Sequence, residues 1–330
     1  MQNPAERPER GRSVPMKSGV PWVTVWGYGA DIRATRGTLT IREGASRRSY
    51  PLSSIRHLLI AGGHTLETAA VAHLTANNIP VSFFDVHGEP VGMVRPPGYM
   101  AFPLRTAQKN IPVHRFAMSV IVSSLKSRMR YLNELGSGRE DGLYYKGELE
   151  ILADASRELE FLITLPELAR VFSLTRNMYY EILSRVAAPE LGYRRREKPP
   201  YQDPVNAMFA HGYAVLYAST AVSVTGAGLD PEIGSLYGTV IPPGMNRGAC
   251  VMDIMEPLMT PMVDRAVMDM AQEGITAGQY EISSRCLLSE KLMKEYNRRL
   301  AESIDSDVLD RAVAEYADAV ASRPAENPCA

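Results

Sequence analysis

Two hydrophobic periods divide the chain. Between about residues 20 and 95 the apolar positions come in short β-branched and aromatic runs separated by turn residues: Val23-Thr24-Val25-Trp26, residues 30 to 34, and residues 38 to 42 after the turn Arg36-Gly37. Residues 55 to 60 read as a further strand closed by Gly62-Gly63. Residues 65 to 77 carry Leu66, Ala69, Ala70, Ala72 and Leu74 at helical spacing, so one short helix is expected there. Residues 81 to 85 and 90 to 94 then frame a hairpin turn at 86 to 89.

Pro96-Pro97-Gly98 breaks this pattern, and beyond it the period becomes 3.6. Residues 111 to 135 place Phe116, Val120, Ser124, Ser127 and Tyr131 along one side, and helical patterns follow over 148 to 161, 165 to 187 and 264 to 321. The expected fold is α+β, a small N-terminal β-sheet domain followed by a larger all-α-helical domain. Its parts are a disordered Pro- and Arg-rich arm at 1–19, the β domain at 20–95, a linker at 96–107, the helical domain at 108–321 and a disordered tail at 322–330.

Composition narrows the function classes. A length of 330 residues with 45% hydrophobic content suits two domains with real cores. Lys+Arg 36 against Asp+Glu 37 excludes a globally basic chain, so nucleic-acid contact would have to come from local patches. The best patch is Arg194, Arg195, Arg196 and Lys198, four cations in five positions beside Pro199-Pro200. Three widely spaced cysteines, Cys250, Cys286 and Cys329, form neither a disulfide framework nor a zinc cluster, and point to a reducing cytoplasm. No apolar run approaches the ~18–20 residues that cross a bilayer, so no membrane is expected. His64, His73, His87 and His211 have no metal-ligand spacing and read as structural or surface residues.

The stretch with most chemistry runs from Leu229 to Val263. It opens on the turn residues Asp230-Pro231 and Gly234, passes a Pro- and Gly-rich loop, and ends with Asp253 and Glu256 three residues apart beside Pro257. Proline is tolerated at a helix start and not deep inside, so the two carboxylates are expected at or just before a helix start, on one face and open to ligands. The same spacing is that of a capping box, which binds nothing.

These segments together resemble the CRISPR-associated spacer-acquisition integrase family, the universal DNA endonuclease of the adaptation complex. The resemblance rests on Pro51-Leu52 with Ile55; on Asn78-Ile79-Pro80-Val81, Phe84-Asp85 and Gly88; and on Asp203-Pro204-Val205-Asn206-Ala207 with Gly212-Tyr213-Ala214. It is completed by Leu229-Asp230-Pro231, Gly234 and Leu236, and by Asp253-Ile254-Met255-Glu256-Pro257-Leu258. The family pattern at the second diagnostic helix, Leu-x-x-x-Glu-Gly-x-x-Ala-Arg-x-Tyr-(Phe/Tyr), anchors on Leu168 and Tyr179-Tyr180. It puts Phe172 where the family has a metal-ligating Glu, and the later motif puts Tyr237 where it has a metal-ligating His. Glu181 and Glu167 lie about 180° and 140° around the helix from Phe172 and do not replace that Glu.

The resemblance implies a DNA-binding homodimer that captures spacer DNA, with double-stranded, branched or prespacer DNA and the small second adaptation protein as partners. It implies catalytic and metal positions at Asp253 and Glu256, with Mg²⁺ or Mn²⁺ if the centre is active and no cofactor otherwise. With Phe172 and Tyr237 at the ligand positions, the expectation is a metal-dependent activity impaired or lost, the two aromatics packing into the space of the metal cluster. The alternative is an active centre rebuilt around Asp253 and Glu256 with Asp230, Glu232 or the loop at 239–247.

Overall fold

The computed structural model describes residues 20–85, 87–137, 142–145, 147–162, 164–238 and 248–322. The arm at 1–19, the tail beyond 322, Val86 of the expected hairpin turn and the loop at 239–247 lie outside the described residues. The chain forms two compact units, Met1–Ala101 and Phe102–Ala330.

The first unit is one mixed sheet with a helix. In chain order it holds β1 (Trp22–Ala34), β2 (Thr38–Glu43), β3 (Ser46–Pro51), β4 (His57–Leu66), α1 (Thr68–Ala76), β5 (Val81–Phe84) and β6 (Pro90–Val94). The strand order is β3-β2-β1-β4-β5-β6. β1 and β4 are parallel, as are β4 and β5, and the other pairs are antiparallel.

Two expected breaks in this sheet are not breaks. The runs 23–26 and 30–34 are one strand. Val23 and Val25 are buried, and then Ala30, Ile32 and Ala34, so the buried phase shifts by one residue where the β1–β4 register slips between Tyr28 and Asp31. Gly27 and Gly29, at φ 102° and 81°, absorb that slip. β4 likewise runs through Gly62-Gly63 to Leu66, because Gly62 pairs with Gly27 so closely that a Cβ there would stand 2.0 Å from the Gly27 carbonyl oxygen. Thr65 and Leu66 therefore belong to the strand. α1 starts at Thr68, and its last turn is closed by Asn78 at φ 58° and by the Ile79 N–H donating to the Leu74 carbonyl. Val25, Ile32, Leu39, Ile41, Leu58, Leu74 and Val81 form the core of the unit, each worth roughly 1.5–3 kcal/mol of burial.

The second unit is helical with one departure. It comprises α2 (Arg105–Lys109), α3 (Val113–Gly136), α4 (Glu148–Glu158), α5 (Leu165–Ser184), α6 (Pro204–Gly226), α7 (Ala249–Met255), α8 (Arg265–Glu273), α9 (Glu290–Ser303) and α10 (Ser306–Ala321). A two-stranded hairpin, β7 (Tyr280–Ile282) with β8 (Cys286–Leu288), sits between α8 and α9. The helical second unit is as expected; within it the reading of 264–321 as amphipathic helix is corrected by this hairpin. Gly274 and Gly278 end the helical run, and a strand of three residues is too short to show a period of its own. α2 begins inside the segment 96–107 expected to be linker and ends two residues past it.

Start signals in the sequence act as chemistry requires. Thr164 and Glu167 close a capping box on α5, with Pro166 in its first turn. Asp203 caps α6 through the Asn206 N–H, with Pro204 at its first position. Among the described residues α6 alone has the length and apolar content of a membrane-crossing helix, which the sequence reading did not credit it with. Val205, Met208, Phe209, Leu216, Val222 and Val224 are buried on several sides of it within the unit.

Candidate functional site

The four positions singled out in the sequence meet at one place in the second unit. α5 brings Phe172, the segment after α6 brings Tyr237, and α7 with the turn beyond it brings Asp253 and Glu256. The Phe172 and Tyr237 rings meet edge to face, centroids 6.2 Å apart.

Of the two carboxylates only Glu256 sits at a helix start, and neither is open to solvent. α7 begins after Gly248, so Asp253 lies inside the helix, and Glu256 opens the 3₁₀ turn Glu256–Leu258 that leads into a π-helical turn, Thr260–Asp264. Pro257 belongs to the first turn of that second segment, which is how a proline is tolerated there. Gly248, not Asp253, occupies the helix cap, so there is no capping box either. Both carboxylates are 1% exposed instead of open.

Asp253 is consumed by the backbone. One oxygen accepts the Ser235 N–H, the Ser235 hydroxyl at 2.7 Å and the Leu236 N–H at 3.2 Å; the other accepts the Tyr237 N–H at 2.9 Å. Burial pushes its carboxyl up to about 6, against the pull of these donors. Its role is to fix the turn that carries Tyr237, as carboxylates fix orphan N–H groups elsewhere.

Glu256 is consumed by side chains. The Tyr237 hydroxyl donates to its Oε2 at 2.6 Å, Arg128 Nη2 donates to its Oε1 in a salt bridge, and the Ser124 hydroxyl stands 3.4 Å from the same oxygen. Ser124 and Arg128 are one turn apart on α3. Burial alone would raise Glu256, but the Arg128 and Arg176 guanidiniums and the Tyr237 hydroxyl outweigh it and hold the carboxyl below its ordinary value. Arg128 is 2% exposed, with its guanidinium 5.8 Å from the Phe172 ring centroid and 5.4 Å from that of Tyr179. Beside this pair, Asp264 accepts the hydroxyls of Tyr179 at 2.7 Å, Thr260 at 3.0 Å and Tyr213.

A hard divalent cation does not fit this donor set. Mg²⁺ and Mn²⁺ need about six oxygen ligands, several of them carboxylate or water. Here each Glu256 oxygen already accepts a hydrogen bond, all of Asp253 faces the 235–237 turn, and a guanidinium stands where a cation would be attracted. Among the described residues no three His, Cys, Asp or Glu side chains gather into a ligand cluster. The acids of the alternative reading are also engaged: Asp230 pairs with Arg105 at 3.1 Å, and Glu232 accepts the Gly248 N–H at 3.1 Å. The loop at 239–247 lies outside the described residues.

The basic run splits in two. Arg194, Arg195 and Lys198 are exposed. Arg196 turns inward, donating to Asn206 and lying 5.3–5.5 Å from the ring centroids of Tyr201, Phe209 and Tyr213. A cavity of about 570 Å³ opens between this run and α5, lined by Asn177, Tyr180, Glu181, Arg195, Arg196, Glu197 and Lys198.

Three participants were missed in the sequence: Arg128, Arg176 and Asp264. Arg128 had a signal, an arginine at helical spacing between Ser124 and Tyr131 on the inward side of α3, where Lys126 and Arg130 face outward. Arg176 had another, since the family pattern has Ala at that position of α5 and Arg at the next, where this chain has Asn177.

A mixed sheet unit followed by a helical unit is the fold of CRISPR-associated Cas1 proteins. The family model described as CRISPR associated protein Cas1 matches residues 23–302, and the chain belongs to that family. It is 32% identical over 296 residues, 87% of this chain and 93% of the other, to a protein of Methanospirillum hungatei provisionally named a CRISPR-associated endonuclease Cas1. It is 27% identical over 287 residues, 86% of this chain and 85% of the other, to a CRISPR-associated endonuclease Cas1 of Thermus thermophilus. Among solved structures the fold matches a casposase bound to integration product, with TM-score 0.74, 18% identity and coverage of 92% and 96% of the two chains. A partial Cas6-RT-Cas1-Cas2 complex matches with TM-score 0.77, 17% identity and the same coverage.

Proposed function

We propose that this protein is a DNA-binding subunit of the CRISPR adaptation machinery that holds DNA for spacer integration without performing the metal-dependent chemistry itself. The carrying observation is the engagement of Glu256 on both oxygens by Arg128 and Tyr237, with Phe172 packed beside them. Phosphodiester cleavage or joining calls for charge neutralisation on the transferring group and an activated oxygen. The two carboxylates nearest to that task are instead spent on internal donors.

Family membership supports the DNA partner and the adaptation context, as do similar proteins solved with an integration product and with Cas2. The exposed Arg194, Arg195 and Lys198 beside the 570 Å³ cavity supply the local positive charge that backbone binding needs. The same reading makes the chain a cytoplasmic homodimer that binds the small second adaptation protein and works beside a catalytically complete relative.

Incubation with branched and half-site DNA in Mn²⁺, alongside Asp253→Ala and Glu256→Ala, tests this reading. Shifted but uncut DNA is expected from the parent protein. Metal-dependent cut or joined products that disappear in Glu256→Ala would overturn it.

A further inference from the structure

Arg176 is the residue the rest of the centre does not account for. It lies on the same face of α5 as Phe172 one turn before it and Tyr180 one turn after it. Its guanidinium stands 5.8 Å from the Phe172 ring centroid, within electrostatic reach of Tyr237 and Glu256. Among the described residues no hydrogen-bond acceptor meets it, whereas Arg128 already satisfies the one carboxylate both could share. Arg176 is half-buried and not sealed in, and its neighbours Asn177 and Tyr180 line the cavity whose far wall carries Arg195 and Lys198.

The charge arithmetic of the centre points the same way. Two guanidiniums face Glu256, Arg128 takes it as a salt-bridge partner, and Asp264 beside them accepts three hydroxyls, so among the described residues no carboxylate pairs with Arg176. A planar guanidinium held against an aromatic ring, with donors free and an opening beside it, is suited to a phosphate oxyanion. The residue that keeps it there is Phe172, an aromatic where the family pattern has an acid, since a carboxylate at that position would take Arg176 as its own partner.

We infer that Arg176 is a DNA-backbone phosphate-binding residue, and that its fixed guanidinium holds at this site the phosphate that a bound cation would otherwise hold. This rests on the DNA-binding reading above and adds to it the atom group that receives the phosphate. It makes DNA binding independent of divalent metal and gives Phe172 a purpose beyond filling space.

The test is fluorescence anisotropy with a labelled branched duplex and the full chain in EDTA, titrated with salt from roughly 50 to 300 mM, the range in which counterion release is readable. Arg176→Ala is expected to weaken binding on the order of ten-fold and to lower the salt slope by about one. Arg176→Lys, which keeps the charge and loses the fork, should retain the slope and recover only part of the affinity. Circular dichroism melts accompany each variant, and Arg176→Gln serves in place of the alanine variant if that one melts early. Exchanging EDTA for Mg²⁺ should leave parental affinity unchanged apart from screening.

Unchanged affinity and slope in Arg176→Ala, with the parent binding well, would overturn the inference and leave the DNA-binding reading intact. An equal loss in Arg311→Ala, an exposed arginine on α10, would also overturn it by showing a generic charge effect. A Mg²⁺-dependent gain that survives in Arg176→Ala would assign the phosphate to a metal instead. A parent that binds no DNA at low salt would remove the DNA-binding reading itself, and this inference with it.

Discussion

Arg128→Met is the perturbation that reads the centre most directly. Arg128 and Glu256 are a buried pair, their side chains 2% and 0% exposed. Removing the cation leaves Glu256 with the Tyr237 hydroxyl at 2.6 Å, the distant Ser124 hydroxyl and the longer-range charge of Arg176, which do not replace the lost salt bridge. Breaking a pair of this kind costs about 3–5 kcal/mol, whereas replacing both members by apolar groups of similar volume is often neutral. For a unit of this length each kcal/mol moves the midpoint by about 2–4 °C, so Arg128→Met should lower Tm by roughly 10 °C. Glu256→Leu alone should cost a similar amount, by orphaning Arg128. The double variant should recover most of it, giving a coupling energy of roughly 5 kcal/mol or more in a double-mutant cycle. Helical ellipticity reports the second unit, and urea titrations at constant m convert the shifts to free energies. Added Mg²⁺ or EDTA should move none of the four midpoints. If the single costs add in the double variant to within about 0.5 kcal/mol, the pair is not the structural replacement for a cation argued here.

Other consequences follow. Installing the family ligands with Phe172→Glu and Tyr237→His should not by itself create a Mn²⁺ site, because Arg128 and Arg176 still compete; adding Arg128→Ala and Arg176→Ala should tighten calorimetric Mn²⁺ binding by at least about ten-fold, on the scale of ligand-orienting effects. His57, 1% exposed and hydrogen-bonded to Ser82 at 2.8 Å, is pushed down to about 4 by burial. Its folded value lies below the unfolded one near 6.5, so the sheet unit has its full stability above pH 6.5 and loses up to about 3 kcal/mol as pH falls to about 4. Melts followed by the fluorescence of Trp22 and Trp26, both on β1, should show that slope, and His57→Asn should flatten it. Gly62→Ala should lower the same tryptophan-detected midpoint by at least about 2 kcal/mol equivalents, since a Cβ meets the Gly27 carbonyl at 2.0 Å and φ is 100°; an unchanged midpoint would mean that the two strands separate there.

Much of the architecture was legible because it rests on local rules. The short β-rich runs of β1 and β2 and the 3.6 period over α3 and α5 depend on residues a few positions apart, as do the caps at Thr164 and Asp203, which the sequence offered and the reading passed over. The hairpin β7–β8 and the passage of β4 through Gly62-Gly63 were not legible. The first is too short to carry a period, and the second depends on a neighbouring strand that supplies Gly27 as partner.

By itself the sequence determined the two hydrophobic periods, the family resemblance, and the replacement of two expected ligands by Phe172 and Tyr237. It also supplied the basic run at 194–198. Only the tertiary structure decided what the remaining acids do. Asp253 and Glu256 sit three residues apart in the chain, yet one faces a backbone turn and the other a guanidinium from α3, 128 positions away. Whether a carboxylate binds a metal, caps a turn or pairs with an arginine depends on which donors arrive from distant elements. That arrangement is set by packing across the core, and no local spacing encodes it.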